Sequence, residues 1–280
     1  MKNSVQIPFT KLQATGNDFV VIDNRSGILD NLDLSALAPK ICDRKFGVGA
    51  DGLITVQKND SGEWVMNYKN PDGSDAGMCG NGARCYVRFV QMLHNGNGVE
   101  AGSSLKFRVH ENLYEAEING NRIRIRFPLE TEAVPISIDG ESLLQVYSNT
   151  EHIVCPVDEE MLERDEPLTE KGRALRNHEF FAPKGTNVNF LSGSGKDRLR
   201  LQTYERGVES LTLACGTGAI ASALAWHHLQ EQKGGRFEYQ VQTRGGTITI
   251  LFSYEETTQT YTNIYIEGPA EIVFEGIYYL

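Results

Sequence analysis

The chain carries the same pattern twice. Asp23 and Asp158, Gly52 and Asn187, and Asn70 and Glu205 each stand 135 positions apart, while Cys79 and Cys215 stand 136 apart, a difference that one inserted residue explains. Self-similarity at a fixed offset marks an internal duplication, and it constrains the fold more than any local signal, because each copy must build the same supersecondary unit. In the first copy, apolar periodicity and turn residues predict a strand over 19–22, a helix over 34–44 and a hairpin of 53–56 with 64–68. A helix beginning at Cys79 and stopping at Gly96 follows, then strands over 105–109, 113–118 and 123–127. The second copy repeats the order: strand 152–157, helix 170–177, hairpin 188–191 with 199–204, the Cys215 helix stopping at Gly234 and Gly235, and strands 239–243, 247–252 and 264–267. The expected class is α/β of the α+β type, with two pseudo-symmetric lobes, each a mainly antiparallel sheet wrapped around a central helix. The lobes are expected at 1–130 and 131–271, joined in the proline-flanked stretch 128–135, with 272–280 packing back on the first lobe. A two-fold relation would set Cys79 and Cys215 facing each other across a cleft.

Each cysteine opens a helix. In Met78-Cys79-Gly80-Asn81-Gly82-Ala83-Arg84-Cys85 the apolar positions Ala83, Val87, Val90 and Leu93 recur at helical spacing after the thiol, and Ala214-Cys215-Gly216-Thr217-Gly218-Ala219 precedes a second helix of small residues. Unpaired N–H groups and the positive end of the helix dipole gather at such a terminus, favouring anions and drawing a thiol's pKa down from about 8.5. One Cys-Gly-x-Gly turn is equally well a tight corner around a buried cysteine. Two copies are harder to read that way. Inverting a carbon stereocentre requires removing a proton from one face and returning one to the other, which a pair of opposed thiols can do. Backbone N–H groups around Gly80-Asn81 and Gly216-Thr217 would hold a substrate carboxylate and the negative charge that builds on it. Nothing marks a Schiff-base lysine, so no cofactor is expected.

Composition narrows the partners. With 280 residues and a net charge of −10, the chain has length for a large core but no basic stripe for nucleic acid or an anionic membrane. No apolar run reaches the 18 or so residues of a membrane helix and 1–17 lacks a signal-like apolar stretch, which points to the cytoplasm. Cys42, Cys79, Cys85, Cys155 and Cys215 make an odd count without zinc-site spacing, so reduced thiols and no metal are expected. Cys42, Cys85 and Cys155 read as packing thiols, and Asp51, Asp72 and Asp75 as turn formers.

These motifs resemble the diaminopimelate epimerase family, in its order and over nearly the whole chain: Gly-Asn-Asp-Phe at 16–19, Asn-Pro-Asp-Gly-Ser at 70–74, the Cys79 motif, Thr-Asn-Val at 186–188, Glu-Arg-Gly at 205–207 and the Cys215 motif. The resemblance implies a pyridoxal-independent, metal-free isomerase, usually a homodimer, interconverting L,L- and meso-diaminopimelate on the route to lysine and peptidoglycan. It implies Cys79 and Cys215 as the acid–base pair and Gly80, Asn81, Gly216 and Thr217 around the reacting carboxylate. Asn17, Asn70, Asn187, Glu205 and Arg206 would bind the rest of the substrate, Arg206 at the distal carboxylate, and His152 would stand near the site. The sequence departs from the family at Asn149-Thr150-Glu151-His152, where Thr150 aligns with a family asparagine and either Thr150 or Asn149 takes its place, at Gly52, where some members carry glutamine, and at Leu211, where an acidic residue is common. A thiol redox protein and a non-catalytic amino-acid binder are the competing readings. The first leaves the Asn and Glu-Arg motifs unexplained, and the second needs no second thiol.

Overall fold

A computed structural model describes residues 5–94 and 102–280; the expected stop at Gly96 lies outside them. In chain order the elements are β1 (Gln6–Ala14), β2 (Asn17–Asp23), α1 (Leu34–Ile41), β3 (Gly52–Lys58), β4 (Trp64–Lys69), α2 (Gly80–His94), β5 (Ser104–Val109), β6 (Asn112–Asn119) and β7 (Arg122–Phe127). They continue with β8 (Ala133–Ile138), β9 (Glu141–Tyr147), β10 (Glu151–Pro156), α3 (Asp165–Arg176), β11 (Asn187–Gly193), β12 (Arg198–Glu205), β13 (Ser210–Thr212), α4 (Gly216–Leu229), β14 (Gly235–Thr243), β15 (Gly246–Glu255), β16 (Thr260–Pro269) and β17 (Glu271–Tyr279). The chain divides into two compact units, one running to Ile125 and completed by Gly268–Leu280, the other Arg126–Glu267.

Each unit is a mainly antiparallel sheet with two parallel contacts. In the first the order is β17-β1-β2-β3-β4-β5-β6, with β2–β3 and β4–β5 parallel. In the second, β8-β9-β10-β11-β12-β14-β15-β16 runs the same way, with β10–β11 and β12–β14 parallel. The duplication reaches the register. Leu53 opposite Lys69 recurs as Val188 opposite Tyr204, and Phe107 opposite Tyr114 recurs as Val241 opposite Ile248. The offset is not constant: the Phe107–Tyr114 pair recurs at 134, and Asp23 lies opposite Val56, whereas Leu191, the counterpart of Val56, faces Pro156, so Asp23 matches Pro156 rather than Asp158.

Both faces of each sheet are covered. α2 packs on β1 to β4, and α4 on strands from β8 to β15. On the other face α1 supplies Leu37, Ala38 and Ile41 to a core with Val20, Ile22 and Leu53, and α3 supplies Leu168 and Leu175 to one with Ile153, Cys155, Val188 and Phe190. Alternation along β10 therefore sends Ile153 and Cys155 toward α3 and leaves His152 and Val154 toward α4. α4 is buried along nearly its whole length, which its run of small residues permits.

Several boundaries differ from expectation. α1 ends at Ile41 instead of reaching residue 44, because the Asp43 carboxylate accepts the N–H groups of Lys45 and Phe46, both at 2.7 Å, and opens a turn. α3 begins at Asp165, its first turn holding acidic residues that suit the dipole and a proline whose missing N–H has no partner to lose. α4 stops at Leu229, well before Gly234, as Glu231 takes the left-handed φ of 49°. β1 and the β8–β9 hairpin had no counterpart in the periodicity. Pro135 within β8, opposite Leu144, is tolerated on a strand whose ladder is with β9.

Candidate active site

In the first unit the site gathers at the N-terminus of α2. Cys79 immediately precedes the helix, and its Sγ accepts the Gly82 N–H at 3.4 Å, as a capping side chain does. Asn17, at the start of β2, sets Oδ1 3.9 Å from Cys79 Sγ and 3.4 Å from Asn81 Nδ2. Both amides are held in one orientation. Asn17 Nδ2 donates to Asp51 Oδ2 at 2.8 Å and Asn81 Oδ1 accepts from Arg84 Nη2 at 2.8 Å; a carboxylate can only accept and a guanidinium only donate. Asp51 is thus more than a turn former. Gly80 is buried and its carbonyl accepts from Arg84 Nη1 at 3.3 Å. Asn70 is placed in a turn, donating to Ser74 Oγ at 3.0 Å.

Arg84 is the residue that sequence reasoning passed over. It is fully buried, also donates to the Pro269 carbonyl and Thr15 Oγ1 at 3.3 Å, and burial pulls its pKa down to about 10. Its position one helical turn after Gly80, within the apolar stripe of α2, was the available signal. Behind Asn17, Asp18 pairs with Lys11 at 2.6 Å and Arg44 at 2.7 Å. Burial pushes the Asp18 carboxyl up, but hydrogen bonds from Arg44 and Lys11 outweigh it and hold it at about 2.

In the second unit Cys215 is the N-cap of α4, 6% exposed, with Sγ accepting the Gly218 N–H at 3.3 Å. Thr217, half-buried in the first turn, places Oγ1 3.5 Å from that sulfur and 3.0 Å from His152 Nε2. His152 Nδ1 lies 3.0 Å from Asn189 Nδ2. Burial, with Arg206 nearby, holds the imidazole neutral by lowering its pKa to about 3. A Cβ at Gly218 would lie 2.4 Å from Asn189 Oδ1, so only glycine lets the helix approach so closely. Ser148 Oγ donates to the Thr217 carbonyl at 2.9 Å, and Gly216 is buried as the first helical residue.

A second group lies along β10, β11 and the end of β12. Asn187 Oδ1 accepts the Arg206 N–H at 2.9 Å, and its Nδ2 donates to the Glu151 carbonyl at 3.0 Å. The Arg206 fork meets Glu151 Oε2 at 3.0 Å and Thr150 Oγ1 at 2.6 Å. Thr150, a departure from the family, thereby contacts Arg206. Burial raises the Glu151 carboxyl, but a hydrogen bond from its own backbone and then Arg206 outweigh it and leave it lowered. Glu205 ends β12 opposite Ser210. At the other departures, a Cβ at Gly52 would sit 2.2 Å from the Tyr68 ring, which leaves no room for glutamine, and Leu211 packs against the α3 core.

All five cysteines are reduced, and burial pushes Cys42 and Cys155 up to about 12 and Cys85 up as well. Among the described residues no group of three or more His, Cys, Asp or Glu is placed to hold a metal, and no helix is long and apolar enough to cross a membrane.

A sequence model of the family described as diaminopimelate epimerase matches residues 9–122 and 144–273. The diaminopimelate epimerase of Aquifex aeolicus is 39% identical over 284 aligned positions, covering 96% of this chain and 96% of its own. Among solved structures, a phenazine biosynthesis protein of the PhzF family from Bacillus anthracis superposes with a TM-score of 0.76 at 15% identity, covering 97% of this chain and 98% of its own. A hydroxyproline epimerase from Agrobacterium vitis superposes with a TM-score of 0.70 at 13% identity, covering 100% and 94%. These two likenesses establish the fold.

Proposed function

Because this chain belongs to the diaminopimelate epimerase family, we propose that it is an isomerase interconverting L,L- and meso-diaminopimelate, with Cys79 and Cys215 as its acid–base pair. One observation carries the assignment of residues: each of two units of matching register presents a thiol at the mouth of its central helix, its sulfur accepting the N–H three residues on, at 3.4 Å from Gly82 and 3.3 Å from Gly218. A thiolate at one terminus removes the α-proton, and the thiol at the other delivers a proton to the opposite face of the same carbon. In the reverse direction the roles exchange, so no external base is consumed. The N–H groups that open α2 and α4, at Gly80, Asn81, Gly216 and Thr217, bind the adjacent carboxylate and take up charge as the carbanion forms, which a helix terminus does without reorganising. This chemistry asks nothing of a cofactor.

Asn17, Asn70, Asn187, Glu205 and Arg206 bind the remainder of the substrate. Arg206 takes the distal carboxylate with a guanidinium already oriented by Glu151 and Thr150, and Glu205 takes an ammonium. The product serves lysine and peptidoglycan synthesis in the cytoplasm. The working form is a homodimer: β17 is paired along one side with β1 and displays Val273, Phe274, Ile277 and Tyr279, each at least 45% exposed, an edge suited to a second copy.

The test is solvent exchange. Incubated with L,L-diaminopimelate in deuterated water, the protein should place one solvent deuterium at a single α-carbon of the meso product. Cys79→Ala and Cys215→Ala should each lower turnover at least a thousandfold while leaving the far-ultraviolet circular dichroism unchanged. Near-normal turnover in both variants would overturn the two-thiol assignment.

A further inference from the structure

The hydrogen bonds around Cys215 fix the positions of protons as well as atoms. Asn189 is fully buried on β11, its Nδ2 2.9 Å from the Ile153 carbonyl and its Oδ1 3.0 Å from Thr203 Oγ1. The Ile153 carbonyl can only accept, so the nitrogen of the amide faces it, and the same nitrogen is the atom 3.0 Å from His152 Nδ1. An amide nitrogen has no lone pair to offer. His152 Nδ1 is therefore the acceptor, and the neutral ring carries its proton on Nε2. Nε2–H then donates to Thr217 Oγ1, which directs the hydroxyl hydrogen of Thr217 toward Cys215 Sγ, 3.5 Å away. With the Gly218 N–H, the sulfur receives two donors at a helix N-terminus.

Cys79 shares the helix-mouth donor, its sulfur accepting the Gly82 N–H at 3.4 Å, but the side-chain group beside it is of the opposite kind. Arg84 and Asp51 orient Asn81 and Asn17 so that a carbonyl oxygen, Asn17 Oδ1, lies 3.9 Å from the sulfur and accepts an S–H. The positive charge of Arg84 favours a thiolate there, but its donors are directed into the oxygens of Asn81, Thr15, Gly80 and Pro269.

We infer that Asn189 is a positioning residue which, through the His152 tautomer and the Thr217 hydroxyl, makes Cys215 the resting thiolate and leaves Cys79 as the resting thiol. Ionisation breaks the S–H bond of Cys215 and passes the proton to water, and the Thr217 hydroxyl takes its place as donor to the sulfur. The charged groups bearing on His152 among the described residues are Arg206 and Glu151, paired with each other at 3.0 Å. The substrate-free enzyme is then loaded for one direction: the isomer whose α-hydrogen faces Cys215 reacts at once. This inference rests on the acid–base assignment above only for its catalytic meaning, since the protonation itself is read without turnover.

The experiment is alkylation of substrate-free protein by iodoacetamide across pH 5–10, with Cys79 and Cys215 peptides quantified separately. The pH midpoint is compared rather than the rate, because Cys215 is the more buried sulfur. Cys215 should titrate at least one pH unit below Cys79. Thr217→Val should raise the Cys215 midpoint by about one unit without moving that of Cys79, and Thr217→Ser, which keeps the hydroxyl, should restore it. Asn189→Asp reverses the tautomer by accepting a hydrogen bond from Nδ1–H, and should raise the Cys215 midpoint as Thr217→Val does. A Cys215 midpoint at or above that of Cys79, or one indifferent to Thr217→Val, overturns the inference. Failure of the deuterium experiment with these midpoints intact would instead reject the catalytic assignment alone.

Discussion

Arg206 shows how much of the proposed chemistry depends on the shape of a side chain rather than its charge. Its two terminal nitrogens reach different partners, Glu151 Oε2 at 3.0 Å and Thr150 Oγ1 at 2.6 Å, and its backbone N–H goes to Asn187. A lysine carries the same charge as a point and cannot hold these groups while also gripping a planar carboxylate. Arg206→Lys should therefore raise the KM for diaminopimelate about tenfold or more, the equivalent of ~1.4 kcal/mol of lost binding, with kcat changed much less. Steady-state kinetics decide it, and an unchanged KM would remove Arg206 from the substrate site.

The helices and strands approach one another more closely than ordinary packing, and glycine sets the distance where they do. Gly172 in α3 lies against β12, where an added Cβ would fall 2.6 Å from the Tyr204 Cβ, backbone-proximal and unable to swing away. Tyr204 is itself almost wholly buried in the α3 core. Gly172→Ala gains the better intrinsic helix propensity of alanine, worth up to ~1 kcal/mol, but must push α3 off the sheet, a strain of about 1–3 kcal/mol. Strain should win by a net ~1–2 kcal/mol, visible as a lower urea midpoint. A variant as stable as the parent would show that α3 moves away from β12 without loss.

For the whole molecule, buried imidazoles make folding sensitive to acid. Burial lowers the pKa of His152 from 6.5 to about 3, and burial followed by the neighbouring His228 lowers that of His227 to about 4. The unfolded chain therefore binds protons that the folded chain refuses. Stability is fully present above pH 6.5 and falls as the pH drops through the window down to these folded values, by about 1.4 kcal/mol per pH unit for each imidazole. Asp18, held at about 2 against 3.8, adds a further loss below pH 3.8. Urea midpoints should be level between pH 8 and pH 7 and decline below pH 6.5, and His152→Gln should halve the decline near pH 5. A flat profile down to pH 5 would mean that one or both rings accept protons without unfolding.

Much of the fold was legible because periodicity records which residues share a face, and a duplication records it twice. The hairpin at 53–56 and 64–68 and its counterpart at 188–191 and 199–204 recur in the same register, and the two thiol motifs fell at helix starts because small residues and glycines mark such turns. Burial on both faces hid more. His152 is fully buried on β10, between Glu151 and the apolar run Ile153-Val154-Cys155, and nothing in that run says which ring nitrogen carries the proton. That depended on Asn189, on Ile153 and on Thr203, brought together by strand pairing. Arg84 likewise occupies an apolar stripe, and its reason for being there is two carbonyls, a hydroxyl and an amide assembled from the first turn of α2, the turn after β1 and the end of β16. The sequence alone determined the repeat, the class of fold and the two thiols, since local spacing encodes all three. Only the tertiary structure decided how the amides and the imidazole are oriented, because a hydrogen bond's direction depends on partners that lie far apart in the chain.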